Sequence, residues 1–329
     1  MALIDFKVLP GIDKQDTTSG AENRWVDCDN TRFRYGLPEK VGGWSSLVTD
    51  TIVGVARREF AFVDLDGNRY VAIGTDKFLL IYFEGQLYDI TPLKTTLTSA
   101  TLATTNTSAI CSITTGTNHN LSVGDIVLLD TVTLPVGTGY VDADFENKLF
   151  QVTSITSATV FTITQSTAAT ATVGTGGSLS VKPYEQVGPA EQSYGYGWGI
   201  DTWSSGKWGE AASASDVSLE PGLWSLSNFG QVLVSTIANG KTFTWNAGDA
   251  ARLTTRASTA TSGFETTNNP TATRVTLISP TTRHLIHLGT ETTIGDPTTQ
   301  DDMFIRFSED EGINKYTPEA TNTAGTQRL

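Results

Sequence analysis

The chain's clearest pattern is a period-two alternation of apolar and polar positions, cut into short runs by turn residues. Arg58-Glu-Phe-Ala-Phe-Val63 alternates, and Asp66-Gly67-Asn68 follows as a tight turn that needs positive φ. Arg69 to Ile73 forms the next run, and Gly74-Thr-Asp76 the next turn. Phe78-Leu-Leu-Ile-Tyr-Phe83, the strongest apolar run, reads as a buried strand and is too short to span a bilayer. Glu84-Gly85 then turns the chain into Gln86 to Ile90. Four strands with such short connections predict one antiparallel meander of the size of a propeller blade.

A related rhythm returns later. Gly230 to Ser235 and Lys241 to Trp245 flank Ala238-Asn239-Gly240, a hairpin with an Asn-Gly turn. Arg274 to Ser279 and His284 to Gly289 flank Pro280, which ends one strand before the next begins. Met303 to Phe307 adds another strand. The repeat is one of rhythm and not of identity. Between the two sets lies a segment rich in Thr, Ser, Ala and Val. It is predicted to be a small inserted β-barrel or sandwich, entered near Thr95 and left near Thr175-Gly-Gly177, with Ser122-Val-Gly-Asp125 launching a strand. No segment carries a sustained 3.6-residue apolar stripe with caps, so no helix is predicted. The expected architecture is all-β: residues 1–94, an N-terminal arm and first blade; 95–182, the inserted domain; 183–329, an aromatic–glycine loop and further blades.

Composition and charge narrow the function. Hydrophobic residues make up 38% and charged residues 17% of the 329, which suits a folded chain of many short elements. A net charge of −13 argues against a general nucleic-acid binder, whose affinity needs clustered Lys and Arg. It fits a solvated acidic surface, or a wall that repels DNA. Cys28 and Cys111 are too few for a disulfide framework and are expected to be small core residues. The start, Met1-Ala-Leu-Ile-Asp-Phe-Lys7, lacks the basic-then-apolar order of a signal peptide, which predicts a chain kept in the cytoplasm until assembly.

Candidate chemistry is sparse. There is no Gly-x-Ser-x-Gly, Walker or HExxH motif. The pairs Asp27/Asp29, Asp64/Asp66, Asp142/Asp144 and Asp301/Asp302, and the run Glu309-Asp-Glu311, could be imagined as glycosidase acids or a calcium loop. Asp64-Leu-Asp-Gly-Asn68 nevertheless lacks the terminal Glu of an EF-hand, and turn chemistry is the preferred reading. His284 and His287 are spaced to opposite faces of a strand, against a shared metal. No catalytic, cofactor-binding or metal-binding residue is therefore assigned.

Three stretches resemble tail nozzle proteins of short-tailed bacteriophages (the tail tubular protein B or packaged-DNA stabilisation type). The first runs from Gly11-Ile-Asp-Lys-Gln15 through Glu22-Asn-Arg-Trp-Val26 and Asn30-Thr-Arg-Phe-Arg34 to Pro38-Glu-Lys-Val-Gly-Gly-Trp44, with Thr31 where the family has a hydrophobic residue. The second is Tyr194-Gly-Tyr-Gly-Trp-Gly199, Trp203 and Lys207-Trp-Gly209, then Trp224-Ser-Leu226. The third is Ile305 to Asp310, Tyr316-Thr-Pro318 and Thr321-Asn-Thr-Ala-Gly325. Family members continue well beyond that last stretch, so either a fragment or a differently built ring is open. His119 to Asp125, Phe150-Gln-Val152 and Thr159 to Ile163 are similar to a small phage-tail β-domain like the FCCH domain of ubiquitin-activating enzymes. The resemblance implies a non-enzymatic virion protein: a hexameric ring at the distal tail, docked to the adaptor of the head–tail connector and to tail fibres, through which genome DNA passes without tight binding. It implies no cofactor and no membrane insertion.

Tyr194, Tyr196, Trp198, Trp203 and Trp208 of the aromatic–glycine loop are candidates for subunit contact, because interfaces are enriched in Trp and Tyr. Arg24, Arg32 and Arg34 are candidates to pair with carboxylates of a neighbouring subunit, although a solvated face is the preferred reading. A rival from another class is a tail protein that binds or hydrolyses host glycans through the aromatic loop. A bacterial surface propeller is a third, disfavoured by the missing signal peptide.

Overall fold

The structure, a computed structural model, describes residues 8–46, 48–189, 221–258 and 269–329. It forms two compact units, residues 1–49 and 50–329. The described residues are all-β, with single 3-10 turns (Asp142–Asp144 among them) as their only helical pieces.

The smaller unit carries one hairpin, β1 (Thr31–Arg34) paired antiparallel with β2 (Leu37–Lys40). Tyr35 (φ 51°) and Gly36 (φ 80°) make its turn, which calls for two left-handed residues. Ala21 is the sole buried apolar residue described in this unit. Cys28, expected in a core, is half-buried, because the described residues of this unit form almost no core to receive it.

The larger unit begins with the predicted meander. Strands β3 (Ala56–Val63), β4 (Arg69–Thr75), β5 (Leu79–Phe83) and β6 (Gln86–Asp89) lie in sequence order in one antiparallel sheet. Its inner face is strongly aromatic: Tyr70 stacks on Phe62 and Phe83 with centroids 5.5 and 4.7 Å apart.

The inserted domain is a closed six-stranded barrel. Its strands are β7 (Leu97–Thr104), β8 (Ile110–Thr114), β9 (Ile126–Thr133), β10 (Lys148–Ser157), β11 (Val160–Thr164) and β12 (Val173–Pro183). Neighbours around the barrel run β10-β11-β8-β7-β12-β9, so no edge is left open. Its core, with Leu102, Ile113, Leu129, Phe145 and Phe161 fully buried, shares no residue with the cores of the other sheets. Thr175-Gly-Gly177, expected as the exit, lies inside β12. The glycines there accompany register shifts against β7, and Gly177 adopts φ 71°, so they bend a strand rather than end a domain.

Two further sheets follow. The second holds β13 (Trp224–Phe229), β14 (Val232–Ile237) and β15 (Thr242–Asn246), with Asn239 at φ 60° in the Asn-Gly turn. The third holds β16 (Thr273–Ile278), β17 (Leu285–Thr290), β18 (Phe304–Phe307) and β19 (Gly325–Arg328). The three sheets stack in order. Trp224 and Trp245 of the second join Tyr70, Ile81 and Phe83 of the first in one core, and Trp245 meets Tyr70 edge-on at 5.7 Å. Between the second and third sheets the contact is partly polar: Ser225 Oγ donates to the Thr276 carbonyl at 2.7 Å, and the Thr236 and Thr276 hydroxyls lie 2.8 Å apart.

Candidate functional site around the barrel neck

The barrel joins the sheet stack through a two-stranded neck. Leu93 bridges antiparallel to Tyr184, Lys94 N–H donates to the Pro183 carbonyl at 2.8 Å, and Glu185 N–H donates to Pro92 at 3.0 Å. Entry and exit of a domain of this size therefore lie side by side. A polar cluster secures the neck to the stack. Tyr184 donates its hydroxyl hydrogen to Asp89 Oδ2 at 2.6 Å, while Arg256 donates to the same oxygen at 3.0 Å, to the Tyr184 oxygen at 2.6 Å and to the Thr91 carbonyl at 3.0 Å. Burial, and then the neighbouring Asp89 charge, push the Tyr184 phenol far above its ordinary value, so it remains a donor.

Clefts flank the neck. The larger, about 630 Å³, is walled by the Ser122–Ile126 turn of the barrel, by residues 184–189 and by Asp76 and Lys77. Asp125 lines it almost fully buried, accepting from Ser122 N–H at 3.1 Å and lying 3.8 Å from Lys94 Nζ. Burial raises its carboxyl above the usual range, against the Ser122 hydrogen bond and the Lys94 charge. The second cleft, about 390 Å³, sets Lys94, Lys241 and Arg256 around Glu185, and Lys241 pairs with Glu185 at 3.1 Å. Among the described residues, neither wall contains a histidine or cysteine.

The larger cleft ends where the aromatic–glycine segment begins. Gly222 N–H donates to the Pro189 carbonyl at 3.0 Å, and Arg57 donates to the Gly222 carbonyl at 2.6 Å. A Cβ on Gly188 would come within 2.8 Å of Gly222 Cα, so glycine is needed where the two backbones meet. The chain thus leaves and re-enters the described structure at one point. Tyr194, Tyr196, Trp198, Trp203 and Trp208 lie outside the described residues. Of the arginines, Arg24 lies 3.7 Å from Asp13, Arg32 donates to Glu39 across the β1–β2 hairpin at 3.1 Å, and Arg34 sits over the Tyr35 ring at 5.3 Å.

The acidic pairs serve turns and ion pairs. Asp64 Oδ1 accepts from Asp66 and Asn68 N–H at 2.9 and 2.8 Å, and Oδ2 from the Asn68 amide and the Tyr70 hydroxyl. Burial opposes its ionisation, but those donors outweigh it and hold the carboxyl below its ordinary value. Asp142 and Asp144 accept from Leu134 and Val141 N–H, Asp301 pairs with Arg328 at 2.7 Å, and Asp302 pairs with Arg274. His119 bonds Leu121 N–H and the Ser157 carbonyl, fixing the turn before β9. Among the described residues no group of three or more His, Cys, Asp or Glu is placed to hold a metal ion.

A buried polar group in the third sheet had no sequence signal. Glu291 is wholly buried and accepts from Thr271 N–H at 2.6 Å and Gly295 N–H at 2.5 Å, while Arg306 donates to the Glu291 and Thr292 carbonyls at 3.0 and 3.1 Å. His287, paired across strands with Arg306, lies against Tyr316 at 5.0 Å and beside the Thr273 hydroxyl at 3.1 Å. Burial, then the Arg306 charge, lower its pKa to about 3. These groups meet through strand pairing across loops, which local spacing does not encode.

No family model matches the chain, and no curated protein does. Among solved structures, one titled Phage phi92 endosialidase aligns over 80% of this chain at 15% identity, with a TM-score of 0.22. The chain spans 36% of that structure's length, and the score is too low to indicate a shared fold.

Proposed function

We propose that the chain is a structural, non-enzymatic protein of a bacteriophage tail, and within that class a subunit of the nozzle ring through which the genome leaves. The observation that carries the reading is the order of the parts. An N-terminal arm, a four-stranded meander, an inserted closed barrel and further meander sheets follow one another as the nozzle resemblance implies. Stacked antiparallel sheets and a barrel without edges suit a stiff wall. The net charge of −13 suits a conduit for DNA, because every attractive phosphate contact would have to break as the genome moves.

Negative-stain imaging of the purified chain, alone and mixed with a portal–adaptor complex of a short-tailed phage, tests the reading. Rings, or a cap on the adaptor, are the expected result. A chain that ignores the adaptor and instead binds host-envelope glycans would replace this reading with the glycan-binding one. A basic lumen in the assembled ring would remove the repulsion argument alone.

A further inference from the structure

Two neighbouring strands of the barrel bring a lysine and two carboxylates together on its outer face. β9 and β12 pair antiparallel, with Leu129 opposite Val181 and both wholly buried in the barrel core. Side chains alternate along a strand, so Asp130 and Lys182, each one residue further on, point outward. Asp130 lies opposite Ser180 and Lys182 opposite Leu128, a diagonal that a lysine stem spans. Lys182 Nζ contacts Asp130 Oδ2, and the two side chains are 30% and 24% exposed.

The backbone beneath this pair is irregular. From the Ser180–Asp130 pair to the Ser178–Thr133 pair, β9 advances one residue more than β12, so β9 carries a bulge. Thr131, in the bulge, adopts φ 53°, a left-handed conformation that is costly for a β-branched residue. Its N–H is shared between two carboxylates, Asp130 Oδ1 accepting at 2.7 Å and Glu146 Oε1 at 3.2 Å. Glu146 Oε2 accepts from Val132 N–H at 2.6 Å, which fixes the second carboxylate beside the first. The turn that bears Glu146 is itself tied to β9, since Asn147 N–H donates to the Leu129 carbonyl at 2.9 Å. The Lys182 hydrogen bond, against burial, holds the Asp130 carboxyl below its ordinary value, so the pair begins as ammonium and carboxylate. An outward ion pair needs neither the costly backbone at Thr131 nor a second carboxylate.

We propose that Lys182 and Asp130 condense to an amide, an isopeptide crosslink between β12 and β9, with Glu146 as proton acceptor. Glu146 takes one proton from the Lys182 ammonium, and the freed amine attacks Asp130 Cγ. The bond formed is Nζ–Cγ, and the bond broken joins Cγ to one Asp130 oxygen. That oxygen leaves as water with two protons of the former ammonium, one of them returned by Glu146. Nothing is oxidised or reduced, and Glu146 ends as it began. Amine and carboxyl held in contact on paired strands react within one molecule, which favours a condensation that free groups in water do not complete. The link ties together positions 52 apart. It sits one residue before Pro183, where β12 passes into the neck, so a pull through the neck meets a covalent bond before the strand ladder. This chemistry is independent of the role proposed for the whole chain.

Mass spectrometry of the denatured full chain tests the crosslink. Wild type is expected to be lighter than its sequence mass by one water. After trypsin, peptides 95–148 and 149–207, which hold Asp130 and Lys182, should travel as one branched species, its fragments placing the junction at those two residues. Lys182→Arg, Asp130→Ala and Glu146→Gln are each expected at full sequence mass with wild-type circular dichroism. Gln at 146 can still accept from Val132 N–H, so that variant removes the proton acceptor and keeps the turn. A wild type of full sequence mass, or a lost water with the two peptides separate, would overturn the crosslink and leave an ion pair. The wild-type mass decides this even where a variant misfolds. A Glu146→Gln chain that is crosslinked as wild type would overturn the role given to Glu146.

Discussion

His287 shows how one side chain links burial to pH. It is fully enclosed, its Nδ1 meets Thr273, and its Nε2 has no partner among the described residues. With its pKa lowered from 6.5 to about 3, the folded chain stays unprotonated there while the unfolded chain takes up a proton below about pH 6.5. The stability tied to this residue is thus fully present above pH 6.5 and declines as pH falls toward 3, by at most about 1.4 kcal/mol per pH unit. Urea unfolding between about pH 7 and pH 4.5 should show this loss, and His287→Gln should flatten it. An unchanged slope in the variant would place the pH dependence in other groups.

At the scale of elements, Gly74 governs how the first sheet meets the second. It lies in β4, where a Cβ would come within 2.6 Å of the Trp224 ring, and Trp224 Nε1 donates to the neighbouring Thr75 carbonyl at 2.9 Å. The indole therefore occupies the space that a side chain at position 74 would need. Gly74→Ala is expected to destabilise by roughly 1–3 kcal/mol, read as a lower urea midpoint at unchanged m. A midpoint within error of wild type would mean that β13 shifts freely and that the Trp224 seat is not tight. The glycines of β12 act differently, bending a strand so that the barrel closes, and a turn-based reading of Thr175-Gly-Gly177 missed this because sequence does not distinguish a bulge from a turn.

For the whole larger unit, the neck predicts that barrel and stack are separable. Lys94 and Pro183 are hydrogen-bonded neighbours, and the barrel core is its own. Replacing residues 95–182 with a two-residue Asn-Gly turn should leave a stack that unfolds in one cooperative step, checked by thermal melts. A stack that fails to fold would show that it depends on Ile126 and Asp125, which bond Tyr184 and approach Lys94 across the junction. The aromatic core shared by the first two sheets, about Tyr70, Phe83 and Trp245, supplies the burial such a remainder needs.

Local alternation and turn chemistry were enough to determine the strand class, the four-stranded meander and the hairpin at Asn239-Gly240, because period-two patterning and positive-φ residues act over a few positions. The shift to Thr- and Val-rich sequence likewise marked a separate β-domain where β7 to β12 form. The closure of that domain into a barrel, and the joining of Asp89, Tyr184 and Arg256, were decided by tertiary structure alone. Those partners lie up to 167 positions apart, and their encounter depends on which strands pair and stack. The buried Glu291, Arg306 and His287 share that origin. An alternating strand shows which residues lie on a common face, but only the assembled layers decide which face is covered.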